Sequence, residues 1–179
     1  VDALLAYEAL FETTQSSNLA MQIAGLYSTL NMWRDAEKYF QKAIELQSNN
    51  AQAMAGVVRA ARELKETEKA KDLADQFLYL YPDHAELALL RAEILLANQQ
   101  PAAAAVDAQL ALEKMPFSPW AYTTHAQAQW EIGNPDPAIE ALFDALKFNP
   151  LNHHVRLRLA ECLLEVGRNA EATRISAPL

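Results

Sequence analysis

The chain has 179 residues, of which 51% are hydrophobic and 21% charged, with three Trp; this suffices for one or two globular domains or an elongated repeat array and excludes wholesale disorder. A formal net charge of -8 excludes a generic phosphate-binding surface, which needs clustered Lys and Arg, so no nucleic-acid partner is expected. Four Gly against eight Pro, with abundant Ala, favour helix over strand.

In chain order, residues 1–16 come first. They place Ala9-Leu10 in the relation that Ala43-Ile44 and Ala145-Leu146 hold later, so they read as the second half of a preceding unit. Residues 17–50 form the first full unit. Ala20, Ile23, Ala24 and Tyr27 make one apolar stripe at helical spacing. After a break near Asn31, Ala36, Tyr39, Phe40, Ala43 and Ile44 make a second. The same pattern returns at 51–84, 85–118 and 119–152, and starts again at 153–179.

The period is fixed by small residues and prolines. Pro82, Pro116 and Pro150 recur every 34 residues, and Ser48 holds the equivalent turn before them. Ala36, Ala70, Ala104, Ala138 and Ala172 keep the same step, as do Ala24, Val58, Ala92, Ala126 and Ala160. Small residues let neighbouring helices approach closely, and aromatic side chains fill the remaining space. Asn50, Asp83, Ser118 and Asn152 are predicted to cap the first helix of a unit. Gly133 and Gly167 suit the left-handed turn between the helices, and Asn134-Pro135 suits a cap followed by a first-turn proline.

These residues resemble the tetratricopeptide repeat family, whose 34-residue unit carries an aromatic, a small residue, then A-x3-F and Pro. The matches are AGLY at 24–27, Trp33, AEKYFQKAIEL at 36–46 and GNPDPAIEALFDALKFNP at 133–150. The first aromatic of the pattern is replaced by Ala20, Met54, Ala88, Tyr122 and Arg156, and the usual Leu by Arg91 and His125. Longer HEAT or armadillo units do not fit the step. Pentatricopeptide repeats would call for a basic groove. The resemblance implies an all-α fold, a right-handed solenoid of antiparallel helix pairs, as a single domain over 1–179.

The resemblance further implies an interaction scaffold that binds a protein or peptide in a concave groove, lined by positions 2, 5, 9 and 12 of each first helix. The groove contacts expected from that register are Arg59, Arg62, Glu93, Trp120, Thr123, Gln127, Trp130, His154, Arg158 and Glu161, with Ala55, Leu89, Leu96, Leu157 and Leu164 on the same stripe. Trp120 and Trp130 read as interface anchors or as packing residues. Some family members clamp acidic C-terminal tails with Lys and Asn four residues apart. The corresponding pairs here, such as Ala55/Arg59 and Leu157/Glu161, do not match, so no such binding is expected. Two other roles stay open: a spacer or assembly arm of a larger envelope or secretion protein, and self-association through the solenoid ends.

No catalytic, metal or cofactor site is expected. His153 and His154 are adjacent on a helix and point about 100° apart, so one metal cannot take both. Cys162 occupies a small-residue packing position, and His125 a core position where a hydrogen-bonded histidine is expected. One cysteine forms no internal disulfide and fits cytoplasm or periplasm alike. No run of 18 apolar residues predicts a membrane span, and the start VDALLAYEALF reads as a piece of a longer chain.

Overall fold

The computed structural model describes residues 2–176 and contains, among them, eleven helices and no strand. They are α1 (Asp2–Thr14), α2 (Ser17–Thr29), α3 (Trp33–Leu46), α4 (Ala51–Glu63), α5 (Thr67–Leu80), α6 (Ala85–Ala97), α7 (Pro101–Lys114), α8 (Pro119–Ile132), α9 (Pro135–Phe148), α10 (His153–Glu165) and α11 (Asn169–Ser176). The first helices start at 17, 51, 85, 119 and 153, at the unit boundaries read from the sequence. The second helices start at 33, 67, 101, 135 and 169, on the same step.

Contacts group the chain into two compact units, 1–90 and 91–179, divided inside α6. In the first unit, the two predicted stripes make the core. Ala20, Ile23, Ala24 and Tyr27 of α2 meet Ala36, Tyr39, Phe40 and Ala43 of α3, together with Phe11 and Val57. α1 is fastened to this core by Phe11 and by the Glu8 carboxylate, which accepts hydrogen bonds from Tyr27 (2.6 Å) and Tyr39 (2.9 Å). The bond to Glu8 and burial hold the Tyr27 hydroxyl proton to about pH 12, and burial with the same carboxylate raises Tyr39 as well. In the second unit, Ala138, Leu142 and Ala145 of α9 pack with Val155, Leu159 and Leu163 of α10 and with Ala172 of α11. The five alanines at the second-helix position are buried in every repeat.

Caps follow the register more closely than the chemistry. The Asn50, Ser118 and Asn152 side chains accept from Ala53, Ala121 and Val155, as predicted. At α6 a cap bond is made by His84, its Nδ1 accepting from the Leu87 amide at 3.2 Å. His84 is the residue in step with Asn50 and Ser118, and an imidazole nitrogen can accept as a carboxylate does. Asn134 stands at the start of α9 before Pro135 but makes no cap bond; its amide donates to Gln129 instead (3.1 Å).

The left-handed turn between paired helices recurs at Asn31, Lys65, Gln99, Gly133 and Gly167, all at positive φ. Only the last two are Gly. An L side chain in this region costs roughly 1–2 kcal/mol, partly offset by the greater chain freedom that glycine loses on folding. Lys65→Gly and Gln99→Gly are therefore expected to stabilise by about 0.5–1 kcal/mol each in urea unfolding. Unchanged or lowered midpoints would contradict this account of the turns.

Candidate peptide-binding face

The expected contacts lie on the first helices α4, α6, α8 and α10. In the first unit, Arg59 of α4 donates to the Glu86 carboxylate of α6, and Arg62 donates to Glu63 at 2.7 Å. Both guanidiniums therefore already face acids. Ala55 and Leu89, on the same predicted stripe, are buried and line no surface; Leu96 in the second unit is buried too. Burial at positions 5 and 12 therefore differs from repeat to repeat: Ala55, Leu89 and Leu96 are buried, whereas Leu157 and Leu164 are exposed.

The second unit brings most of the expected residues onto α8 and α10. The Trp120 indole N–H donates to Glu93 of α6 at 2.7 Å, so Trp120 is half-buried and held by a charge-assisted bond. Thr123 spends its hydroxyl on the carbonyls of Pro119 and Trp120, both at 3.0 Å. Trp130 packs one side against the core of this unit, and the Arg158 guanidinium lies 5.9 Å from its ring centroid. Arg158 also pairs with Glu161 at 3.3 Å. Each Trp is thus both packed and partly presented.

A regular ladder emerges from these contacts. Arg59–Glu86 and Glu93–Trp120 each join position 9 of one first helix to position 2 of the next, 27 residues on. The same step leads from Gln127 to His154. That rung is open: Gln127 bonds Glu131 within its own helix at 3.0 Å, and His154 is exposed with no partner among the described residues. Sequence reasoning names these residues one at a time; the offset of 27 would have paired them.

Cys162 and the histidines are placed as follows. Cys162 is buried, and burial pushes its thiol up, away from the reactive thiolate. His125 is pushed down by burial, with the Ala105 carbonyl opposing this. Its Nε2 meets Gln129 only at 3.5 Å and its Nδ1 is buried without a partner, so the expected hydrogen-bonded core histidine is only weakly satisfied. His153 and His154 are both exposed at the start of α10. Among the described residues no cluster of His, Cys, Asp or Glu could hold a metal, and no helix is long and apolar enough to cross a membrane.

Family models described as tetratricopeptide repeat match residues 18–50, 57–84 and 123–173, together more than half of the chain. The chain belongs to the tetratricopeptide repeat family. Solved structures agree in fold. MamA from Desulfovibrio magneticus RS-1 is 18% identical with a TM-score of 0.75, over 89% of this chain and 90% of that one. The thermophilic protein TTC0263 from Thermus thermophilus is 17% identical with a TM-score of 0.75, over 89% and 88%. YrrB, described as a TPR protein with an unusual peptide-binding site, is 19% identical with a TM-score of 0.69, over 95% and 88%. Tetratricopeptide repeat proteins are in general non-enzymatic scaffolds that bind protein or peptide partners, and this chain has their fold.

Proposed function

We propose that the chain is a scaffold that holds a peptide or protein segment along the first-helix face of α8 and α10. The open rung carries this reading. Gln127 and His154 present unspent hydrogen-bonding groups at the step where the two preceding rungs are closed. Beside them, Trp130 under Arg158 supplies an aromatic and guanidinium surface of the kind that dominates interface energetics. Arg59, Arg62, Glu93, Trp120, Thr123 and Glu161 are proposed as flanking contacts on the same faces of their units. The peptide-binding site named for YrrB supports the reading by analogy of fold alone.

Selection from a displayed peptide library tests it. Selected peptides are expected to bind Trp130→Ala and Arg158→Glu about tenfold more weakly than wild type. Equal affinity for the variants, or no enrichment over an unrelated protein, would contradict the proposal.

A second reading has its own observation. Leu157 and Leu164 are 62% and 56% exposed, whereas Leu89 and Leu96 at the same repeat positions are buried. A further copy of the chain seated on α10 would cover them. Light scattering at high concentration tests this: a strict monomer contradicts it.

A further inference from the structure

A cleft of about 350 Å³ opens on the second-helix side of the last repeats, between α9, α10 and α11. Phe143, Leu146, Pro150 and Ile175 give it an apolar floor, and Lys147, Arg156 and Arg174 stand around it. Three cations lining one apolar cleft are unexpected in a chain of net charge -8.

Compared one step back along the 34-residue register, all three cations are new. Lys147 replaces Glu113, Arg174 replaces Glu140 and Arg156 replaces Tyr122 of the repeat before. Two acids become bases, and the tyrosine gives way to a guanidinium. In the earlier repeat Tyr122 packs against the core, its ring 5.8 Å from that of Phe148. Arg156 instead donates through Nε to the Ile175 carbonyl at 2.9 Å, which holds α11 at the edge of the cleft. The groove one repeat earlier carries Gln109 and Glu113 where this one has Phe143 and Lys147.

The charges are available. Arg174 is exposed; the Glu171 carboxylate on its own helix acts on it only through space, with no hydrogen bond between them among the described residues. Lys147 is paired with Asp144, but its side chain is 72% exposed, so it can exchange that partner at little cost. The volume lies at the lower end of ligand pockets and suits one or two apolar side chains. The cleft is open along one side, so an acyl chain would leave most of its methylenes in water, whereas a peptide can seat one residue and continue past it.

We propose that this cleft binds an acidic peptide segment, placing an apolar side chain on Phe143, Leu146 and Ile175 and an adjacent carboxylate between Lys147 and Arg174. The site is separate from the first-helix face and does not depend on that face binding anything.

Fluorescence anisotropy with a short labelled peptide of alternating Leu and Glu tests this, against a matched peptide of Leu and Lys. Wild type is expected to bind the acidic peptide saturably and the basic one not at all. Lys147→Glu with Arg174→Glu is expected to weaken binding by about tenfold or more, since each charged hydrogen bond lost is worth about that factor. Both positions are exposed, so this variant retains the fold, which circular dichroism checks. Arg156→Tyr, which restores the preceding repeat's residue and fills the cleft, is expected to weaken it likewise. Gln127→Ala, an exposed position on the first-helix face, is expected to leave binding unchanged, which separates this site from that face. Equal binding of the two peptides, unchanged affinity after charge reversal, or no saturable binding would overturn the proposal. Displacement of the peptide by octanoate at equal concentration would assign the cleft to a fatty-acid carboxylate and overturn it too.

Discussion

Asp107→Ala is expected to destabilise the second unit by roughly 3–5 kcal/mol in urea or thermal unfolding. Asp107 lies on α7 and is 4% exposed. It accepts two parallel hydrogen bonds from Arg91 of α6, from Nε and from a terminal nitrogen, both at 2.7 Å. Removing the carboxylate takes both bonds from a guanidinium whose side chain is only 29% exposed, and the loss of this charged pair is the main cost. Arg91 occupies the place where the family pattern has Leu. The pair is therefore a polar replacement for an apolar contact, and Arg91→Leu with Asp107→Leu is expected to recover most of the loss. A loss below about 1 kcal/mol for Asp107→Ala would mean that water reaches the pair and that its burial is weaker than the geometry states.

Gly56→Val is expected to cost the first unit roughly 1–3 kcal/mol, read as a lower urea midpoint at unchanged slope. A Cβ at Gly56 would stand 2.5 Å from Cδ1 and Cε1 of Phe40 and 2.7 Å from its Cγ. Phe40 is itself buried, in one core with Tyr39, Ala43, Ala53 and Val57, so a shift of its ring disturbs that packing. Clash near the root of the ring forces the backbone of α3 or α4 to give. Gly25 is the contrasting case: a Cβ there meets nothing within 4 Å, so Gly25→Ala should stabilise α2 by up to about 1 kcal/mol through helix propensity. Equal effects at the two glycines would contradict the packing described for Phe40.

Much of this is legible in the sequence, because a repeat reports its own register. Alanines and prolines on one step mark the helix pairs and their starts, and the caps at Asn50, Ser118 and Asn152 stand where the register puts them. At α6 the register also selects His84, whose residue type does not suggest a cap. The candidate face is legible only as a stripe. Spacing alone does not say which stripe residues meet solvent: Ala55, Leu89 and Leu96 are buried, while Leu157 and Leu164 are exposed. Asp107 is invisible for a different reason. A lone acid inside a helix reads as solvated, and its partner lies 16 residues earlier on another helix.

The most direct test of the central reading uses the indole N–H signals of the three tryptophans in a heteronuclear NMR titration with a library-selected peptide. Trp120 and Trp130 lie on α8, on the proposed face, whereas Trp33 opens the second helix α3 of the first repeat. At saturation the Trp130 signal, and with it Trp120, is expected to move while Trp33 stays in place. A bound peptide that shifts Trp33 alone, or shifts none of the three, would contradict the assignment of the first-helix face as the binding surface.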